Sequence, residues 1–487
     1  MTVANFSNTP MSLRLTNSLS RQKEEFKPVL PGHVGLYVCG PTVYGDPHLG
    51  HAKTYVSFDV IVRYLRFCGY TVTYIQNITD VGHLVGDEDD GADKVQQKAR
   101  EINRQPMAIV EHYTCRHFAM MDRLQVQRPD ISPRATGHIP EQLQLIETLL
   151  AQGKAYERKG SIYFDVSQDS EYGNLSGRKG EDMLSGTRVA VRSEKKDPRD
   201  FALWKHAEPG HLMRWRDCLG QEGFPGWHTE CVAMSTRYLG NAFDIHGGGM
   251  DLKFPHHECE LAQARALGHD YARYWLHANL LTINGQKMAK SLGNFITLED
   301  AFQTHDPLVL RYFIVAGHYG SVLDFSDSAL QGAETSLQRL QQTVRTLQRK
   351  VPTDFAATDQ HLQQYRERFC EAMDDDFSTP QALAVLFELI HEVHRLLQQE
   401  NTATEVFADA LNLFQQLAGD VLGLLPETAS TTHNPELLEQ TINLLLELRH
   451  DFRQQKDFAR ADLIRQRLQD LGIELQDSKD GTTWEIS

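Results

Sequence analysis

The distribution of apolar and polar positions changes character several times along the chain, and each change predicts an element or a boundary. Val34–Val38 is a short apolar run that breaks into the turn-forming stretch Cys39-Gly40-Pro41-Thr42-Val43-Tyr44-Gly45-Asp46-Pro47. Ala52–Phe67 is then apolar on nearly every face and stops at Gly69, as a buried helix does, and Thr71–Ile75 alternates as a strand does. Strand, buried helix and strand in this order predict a βαβ unit. The loop after its first strand lies at the carboxyl edge of a parallel sheet, where ligands bind. A further strand, Ala242–His246, ends in Gly247-Gly248-Gly249, a triplet that lets a backbone approach a ligand closely. From Ser328 to Leu425 the periodicity is almost purely helical. Glu427–Pro435 is a Ser/Thr-rich linker, and one last helix, Leu438–Leu471, precedes a β-like tail over Ile473–Ile486.

The remaining stretches fill in the order of elements. Leu13–Leu19 reads as an extra β segment within an N-terminal extension, and Gly86–Gly91 is an acidic loop. Helical periodicity runs over Asp93–Leu124. Pro129–Pro140 marks a boundary, after which helices alternate with short strands such as Ser161–Phe164 as far as Pro225.

With 487 residues, a prior of roughly 150 residues per domain gives about three domains. No run approaches the roughly 18 apolar residues of a membrane span, and Met1–Lys27 is polar rather than a signal-peptide core, so a cytoplasmic location is the expectation. A net charge of -16 excludes an indiscriminate nucleic-acid binder but leaves room for a local basic face. Seven cysteines, an odd number scattered over a long chain, favour metal or catalytic use over a disulfide framework. Cys68, Cys115, Cys218 and Cys370 have no ligand-like company and read as structural.

Candidate chemistry gathers at two places. His48-Leu49-Gly50-His51 sits where the first helix starts, at the positive end of its dipole, and Lys287-Met288-Ala289-Lys290-Ser291 follows the hairpin-like Asn284-Gly285. Either segment alone is ordinary. Together, with Cys39–Tyr44 leading into the first, they resemble the paired motifs of class I aminoacyl-tRNA synthetases in their cysteine-specific version, Ala289 replacing a usual serine.

The resemblance implies an α/β fold with a Rossmann-like catalytic core in two halves, 34–128 and 226–327. A connective insertion at 129–225 divides them, an extension covers 1–33, a tRNA-binding helical bundle covers 328–426, and a small C-terminal domain on the anticodon side covers 436–487. It implies a monomer with no membrane contact that uses ATP, with Mg2+, to activate L-cysteine and pass it to tRNA(Cys). His48, His51, Lys287 and Lys290 would be catalytic, with Gly50, Gly247 and Gly248 joining His48, His51 and Lys290 around ATP. Gly40, Thr79 and Trp227 would contact substrate. After Ile78-Thr79-Asp80 the family commonly continues at once with an acidic pair and a lysine, whereas here Val81-Gly82-His83-Leu84 intervenes.

The residues also raise a metal. His256 and Glu260 are i and i+4, so on a helix they share one face, and Cys39 and Cys231 supply thiols. Two thiolates, an imidazole and a carboxylate suit zinc better than magnesium or calcium. Spacing alone leaves a plain structural role open beside this one; the resemblance assigns one zinc ion to Cys39, Cys231, His256 and Glu260. His257, turned about 100° from His256, reads as a hydrogen-bonding residue, and Cys259, at i+3, competes with Glu260 for the fourth position. A zinc ion that prefers a thiolate would separate cysteine from serine where an apolar pocket separates near-isosteres only about 10 to 200-fold.

Two other functions fit parts of the chain. A related ligase that acylates an amino sugar in thiol-cofactor biosynthesis should end soon after the bundle begins, and a non-catalytic tRNA-binding protein should have lost its motifs. On the last helix Arg449, Arg453, Lys456, Arg460 and Arg467 fall at i, i+4, i+7, i+11 and i+18 and predict one basic, tRNA-facing stripe.

Overall fold

The computed structural model of the chain describes residues 13–85, 93–178, 195–289, 292–352, 355, 357–425, 435–470, 473–478 and 481–486. Its centre is a four-stranded, all-parallel sheet made from β1 (His33–Val38), β2 (Thr71–Gln76), β3 (Ala242–Gly249) and β4 (Tyr271–Ala278), in the order β4-β3-β1-β2. Leu36 pairs with both Tyr74 and Ile245, and Val38 with Gln76 and Gly247. The crossover from β1 to β2 is α1 (Leu49–Phe67), buried along most of its length. The predicted βαβ unit is therefore present. The glycine triplet is not a turn after its strand, because β3 continues through Gly249.

Alternation along β1 sends side chains to two separate cores. Val34, Leu36 and Val38 join a cluster with α1, with α5 (Pro307–Val315) and with the helices Asp327–Lys350, Gln363–Asp374, Thr379–Leu397 and Thr404–Phe414. Tyr37 joins the other cluster, shared with α3 (Trp227–Leu239), α4 (His256–Ala266) and the insertion. The bundle and the insertion thus cover opposite faces of the sheet. The insertion holds a helix, Ile139–Ala151, and a five-stranded antiparallel sheet whose strands lie between Ala155 and Pro225.

Three predicted elements differ in detail. The N-terminal β segment is a short hairpin, Arg14–Asn17 with Gln22–Glu25. The helical stretch after Asp93 is two helices, α2 (Lys94–Glu101) and Pro106–Arg123, divided where Asn103 takes a left-handed conformation and Pro106 restarts the helix. The acidic loop at Gly86–Gly91 and nearly all of the Ser/Thr-rich linker lie outside the described residues.

A second compact unit begins at Pro426. In place of one helix it has two, Pro435–Gln454 and Phe458–Asp470, followed by the antiparallel strands Ile473–Ser478 and Gly481–Ile486. The break falls at Lys456, whose φ is 63°, and Asp457 accepts from the Arg460 backbone as the second helix starts. The single basic stripe is corrected accordingly: Arg449 is buried against the β tail, with Nη1 3.4 Å from Thr482 Oγ1, Lys456 is the break itself, and Arg453 stands before it with Arg460 and Arg467 after. No helix among the described residues is long and apolar enough to cross a membrane.

Candidate active site

A cavity of about 620 Å³ opens at the carboxyl edge of the sheet. Its walls come from the loop after β1, the start of α1, the segment after β2, the start of α3 and the residues around Lys287. Cys39, Gly40, His48, Gly50, His51, Thr79, Trp227, Cys231, His256 and Lys287 all line it.

The start of α1 is built by its two histidines. His48 is the N-cap; its Nδ1 accepts from Gly50 N at 3.1 Å, while His51 Nδ1 accepts from His48 N at 3.1 Å. Because each Nδ1 accepts, the proton of each neutral ring sits on Nε2, and both rings are N–H donors. Burial lowers the His51 pKa to about 4, so it contributes a dipole rather than the full charge that the sequence left open. A Cβ at Gly50 would stand 2.9 Å from the His48 ring, which explains the glycine. Gly40 is more tightly fixed: a Cβ there would fall 1.5 Å from Asn77 O.

The four predicted metal ligands meet in one buried cluster, their ligand atoms all within 4.8 Å of one another. Cys39 directly follows β1, Cys231 lies one turn into α3, and His256 and Glu260 occupy successive turns of α4. Cys39 Sγ is 3.8 Å from Cys231 Sγ and 3.6 Å from Glu260 Oε1, and His256 Nε2 is 3.4 Å from Cys231 Sγ and 3.1 Å from Glu260 Oε1. Outer groups aim these atoms inward. His228 Nδ1 holds His256 Nδ1 at 3.0 Å; His246 Nε2 at 2.8 Å and the Tyr271 hydroxyl at 3.0 Å hold Glu260 Oε2. Burial pushes the Cys39 thiol well up and that of Cys231 to about 12, and holds His256 well below its ordinary value. A cation among these thiols would reverse their preference for the protonated form, and a neutral imidazole is the ligand form of histidine. The donor set therefore fits a soft divalent ion.

Cys39 and Glu260 also form a group with His246 and His257. Cys39, Cys231 and His256 line the cavity, whereas His246 and His257 do not, so the first set is the one that faces a ligand. His257 is hydrogen-bonded, as its position on the helix suggested: Nδ1 meets His277 at 2.9 Å and Nε2 meets Cys39 Sγ at 3.3 Å. Cys259 is turned to Tyr172, with its Sγ 3.4 Å from that hydroxyl, and belongs to neither group. None of the seven cysteines is in a disulfide.

Of the glycine triplet, Gly249 is on the cavity wall, while Gly247 and Gly248 are not among the lining residues; a Cβ would strike Phe58 at the first and His257 at the second. Lys290 and Ser291 lie outside the described residues. Lys287 is on the wall, and Asn294 braces its loop by donating to Lys287 O at 3.1 Å and accepting from Ala289 N at 2.9 Å.

Several residues were not singled out from sequence. His83 stacks on Trp227 with ring centroids 3.8 Å apart, and Trp227 packs on His256 at 4.2 Å. Its signal was the departure from family spacing at Val81–Leu84. Lys94 and Lys98, both on the cavity wall, are i and i+4 on α2. Glu230 is buried beside Cys231; burial, with Asp80, Glu260 and Asp93 nearby, raises it well above the carboxylate range against the opposing bond from Thr79.

Residues 25–335 match the family model described as tRNA synthetases class I (C) catalytic domain; 368–426 match the DALR domain and 436–484 the cysteinyl-tRNA ligase anticodon binding domain. The cysteine--tRNA ligase of Chlorobaculum tepidum is 49% identical over 484 residues, covering 97% of this chain and 99% of that one. The chain belongs to the cysteine--tRNA ligase family. The Thermus thermophilus cysteine--tRNA ligase, also 49% identical, covers 98% of this chain and 100% of its own length. The fold is shared more widely: a Mycobacterium tuberculosis methionyl-tRNA synthetase bound by methionyl-adenylate superposes with a TM-score of 0.58 at 16% identity over 80% of this chain and 92% of that one. The cysteine--tRNA ligase family thus has a class I synthetase core here, as its sequence motifs predicted.

Proposed function

We propose that the chain is an ATP-dependent cysteine--tRNA ligase. It joins L-cysteine to ATP as cysteinyl-adenylate with release of pyrophosphate, then transfers the cysteinyl group to the 3'-terminal adenosine of tRNA(Cys) with release of AMP. The observation that carries this is the meeting, in one cavity, of a buried two-thiol, imidazole and carboxyl cluster with a histidine-capped helix start.

Cys39, Cys231, His256 and Glu260 hold one zinc ion, which supplies a soft Lewis acid that takes a thiolate in preference to a hydroxyl. Trp227 and Thr79 bound the amino-acid side of the cavity, with Gly40 letting the substrate lie against backbone. His48 and His51 present N–H groups to the phosphates of ATP, and Lys287 and Lys290 bring charge to the oxygens that become more negative as the carboxylate attacks the α-phosphate. The substrate is ATP with Mg2+. Matches to the DALR and anticodon-binding models favour tRNA over an amino sugar as the acceptor.

Cysteine-dependent exchange of pyrophosphate into ATP, followed by charging of bulk tRNA, tests the activity; exchange without charging would move the acceptor away from tRNA. Replacement of the metal by cobalt tests its role. A sulfur-to-cobalt charge-transfer band that appears with L-cysteine and not with L-serine is expected, and a spectrum indifferent to cysteine would leave the ion a structural clip. Lys290→Ala should lower kcat rather than only raise the KM for ATP.

A further inference from the structure

The segment that departs from family spacing after β2 carries a side chain that has no part in the chemistry above. His83 lines the cavity and is 8% exposed. Its ring lies almost parallel to that of Trp227, 10° apart in plane with centroids at 3.8 Å, and Trp227 is in turn packed on His256 at 4.2 Å. Three rings therefore run in series from this segment to one member of the cysteine, histidine and glutamate cluster.

The backbone is shaped to bring His83 there. Gly82 has a φ of 85°, and a Cβ on it would stand 2.5 Å from Pro225 O, two residues before Trp227, so glycine is what lets the segment come this close. Asp93 ties the same segment to α2: Oδ2 accepts from Gly82 N at 2.7 Å and Oδ1 from Gln96 N at 2.9 Å, while Lys94 N donates to His83 O at 2.9 Å. The ring is held as well as the backbone. His83 Nδ1 meets Thr42 Oγ1 at 2.5 Å, and Nε2 meets Lys94 Nζ at 2.7 Å. Turning the ring off Trp227 would break both contacts, whichever nitrogen carries the proton.

We propose that His83 is a positioning residue for Trp227 that sets the length of side chain the amino-acid site admits. A thiol that reaches Cys39, Cys231 and His256 must lay its carbon chain beside Trp227, and L-cysteine brings one methylene where L-homocysteine brings two. With the indole packed on both His83 and His256, this wall cannot withdraw to take the second. Selection of sulfur over oxygen then belongs to the metal cluster, and selection of length to the pair His83 and Trp227. This rests on the reading of the cavity as a cysteine site.

The test uses the full chain with its metal and measures equilibrium affinity by calorimetry for L-cysteine, L-homocysteine and L-serine, the weaker ligands by displacement. His83→Ala should reduce the preference for L-cysteine over L-homocysteine by roughly tenfold, the low end of what one methylene is worth in a well-fitted pocket, while the preference over L-serine and the zinc content hold. His83→Phe keeps a flat ring on Trp227 and should restore the preference. Should His83→Ala fold poorly, His83→Leu gives a second arm: it fills the volume without a flat ring and must show the same loss. A native chain that binds the two thiols equally would overturn the inference. So would an unchanged ratio in the alanine or leucine variant, an equal fall in preference over L-homocysteine and L-serine, or a loss in His83→Phe as large as in His83→Ala; each leaves His83 structural. A native chain that binds no L-cysteine would instead overturn the proposed function itself.

Discussion

Two buried polar clusters, one on α1 and one at the carboxyl edge of the sheet, meet burial in different ways. In one, Asp59 and Arg63 of α1 meet Arg311 of α5. Arg311 donates to Asp59 Oδ2 at 2.5 Å, to Leu422 O at 2.9 Å and to Leu124 and Gln125 carbonyls at 2.9 and 3.0 Å, while Arg63 adds Asp59, Gln125 and Asp420 O. Gly423 makes the room, since a Cβ there would lie 2.5 Å from the guanidinium. Asp59 is shared by two guanidinium groups, whose other donors meet backbone carbonyls, so this cluster finds its partners within the chain. In the other, two thiols, a carboxyl group and an imidazole converge, and among the described residues no lysine or arginine pairs with Glu260. Its donor atoms are compatible with a metal ion, which would draw the thiols into their ligand form.

The sharpest way to break this contrast is Arg311→Ala. It leaves Asp59 with only Arg63 in a buried setting and should destabilise the chain by about 3–5 kcal/mol in urea or thermal unfolding, with metal content per folded chain unchanged. Cys231→Ala should do the reverse: elemental analysis should find the zinc lost, while the unfolding transition moves less than with Arg311→Ala. Tyr271→Phe sharpens the metal half, since it removes one of the two groups that hold Glu260 Oε2. It should weaken zinc by roughly 10-fold to 100-fold in chelator competition, leaving the ligands in place.

The smallest effect is a pH dependence near the helix start. The folded His51 pKa of about 4 lies below the ordinary 6.5, so between those values the unfolded chain binds the extra proton. Stability from this group is complete above pH 6.5, is lost as pH falls toward 4, and changes no further below that. It should amount to about 1–2 kcal/mol, because one edge of the ring meets cavity water. His51→Asn should flatten that part of the profile, measured as unfolding free energy from pH 7 to 4. The Arg311 guanidinium stays charged throughout and should add no slope there.

How much of this was legible in the residues depended on whether the cause was local. The βαβ unit could be read because α1 is buried on most faces and carries few polar interruptions. His256 and Glu260 could be paired because helical spacing is a local rule. Cys39 and Cys231 could be added only through family resemblance, since nothing near them in sequence announces that α3 and β1 bring their sulfurs within 3.8 Å. Which glycine of the triplet would line the cavity could not be read, because a glycine that faces a cavity and one that admits Phe58 look alike in sequence. The broken C-terminal helix was missed because the break at Lys456 uses neither Gly nor Pro; a left-handed lysine leaves no mark in the hydropathy pattern. Glu230 was invisible for another reason. A glutamate in the first turn of a helix ordinarily faces water, and only the tertiary fold carries this one inward.

Cys39 and Glu260 approach each other across 221 residues of chain. An ion held by both is a clasp on a very long loop, and the entropy of closing such a loop grows only slowly with its length, so most of the closing work falls to the β-sheet rather than to the ion. There is also an order in time. A chain made from its N-terminus presents Cys39 early, then the whole insertion, then Cys231, and only afterwards the helix with His256 and Glu260. Until that helix is made, a metal ion could find only a thiol or two. High-affinity capture must therefore wait for the second half of the core, and a chain that stops inside the insertion should emerge from synthesis without zinc.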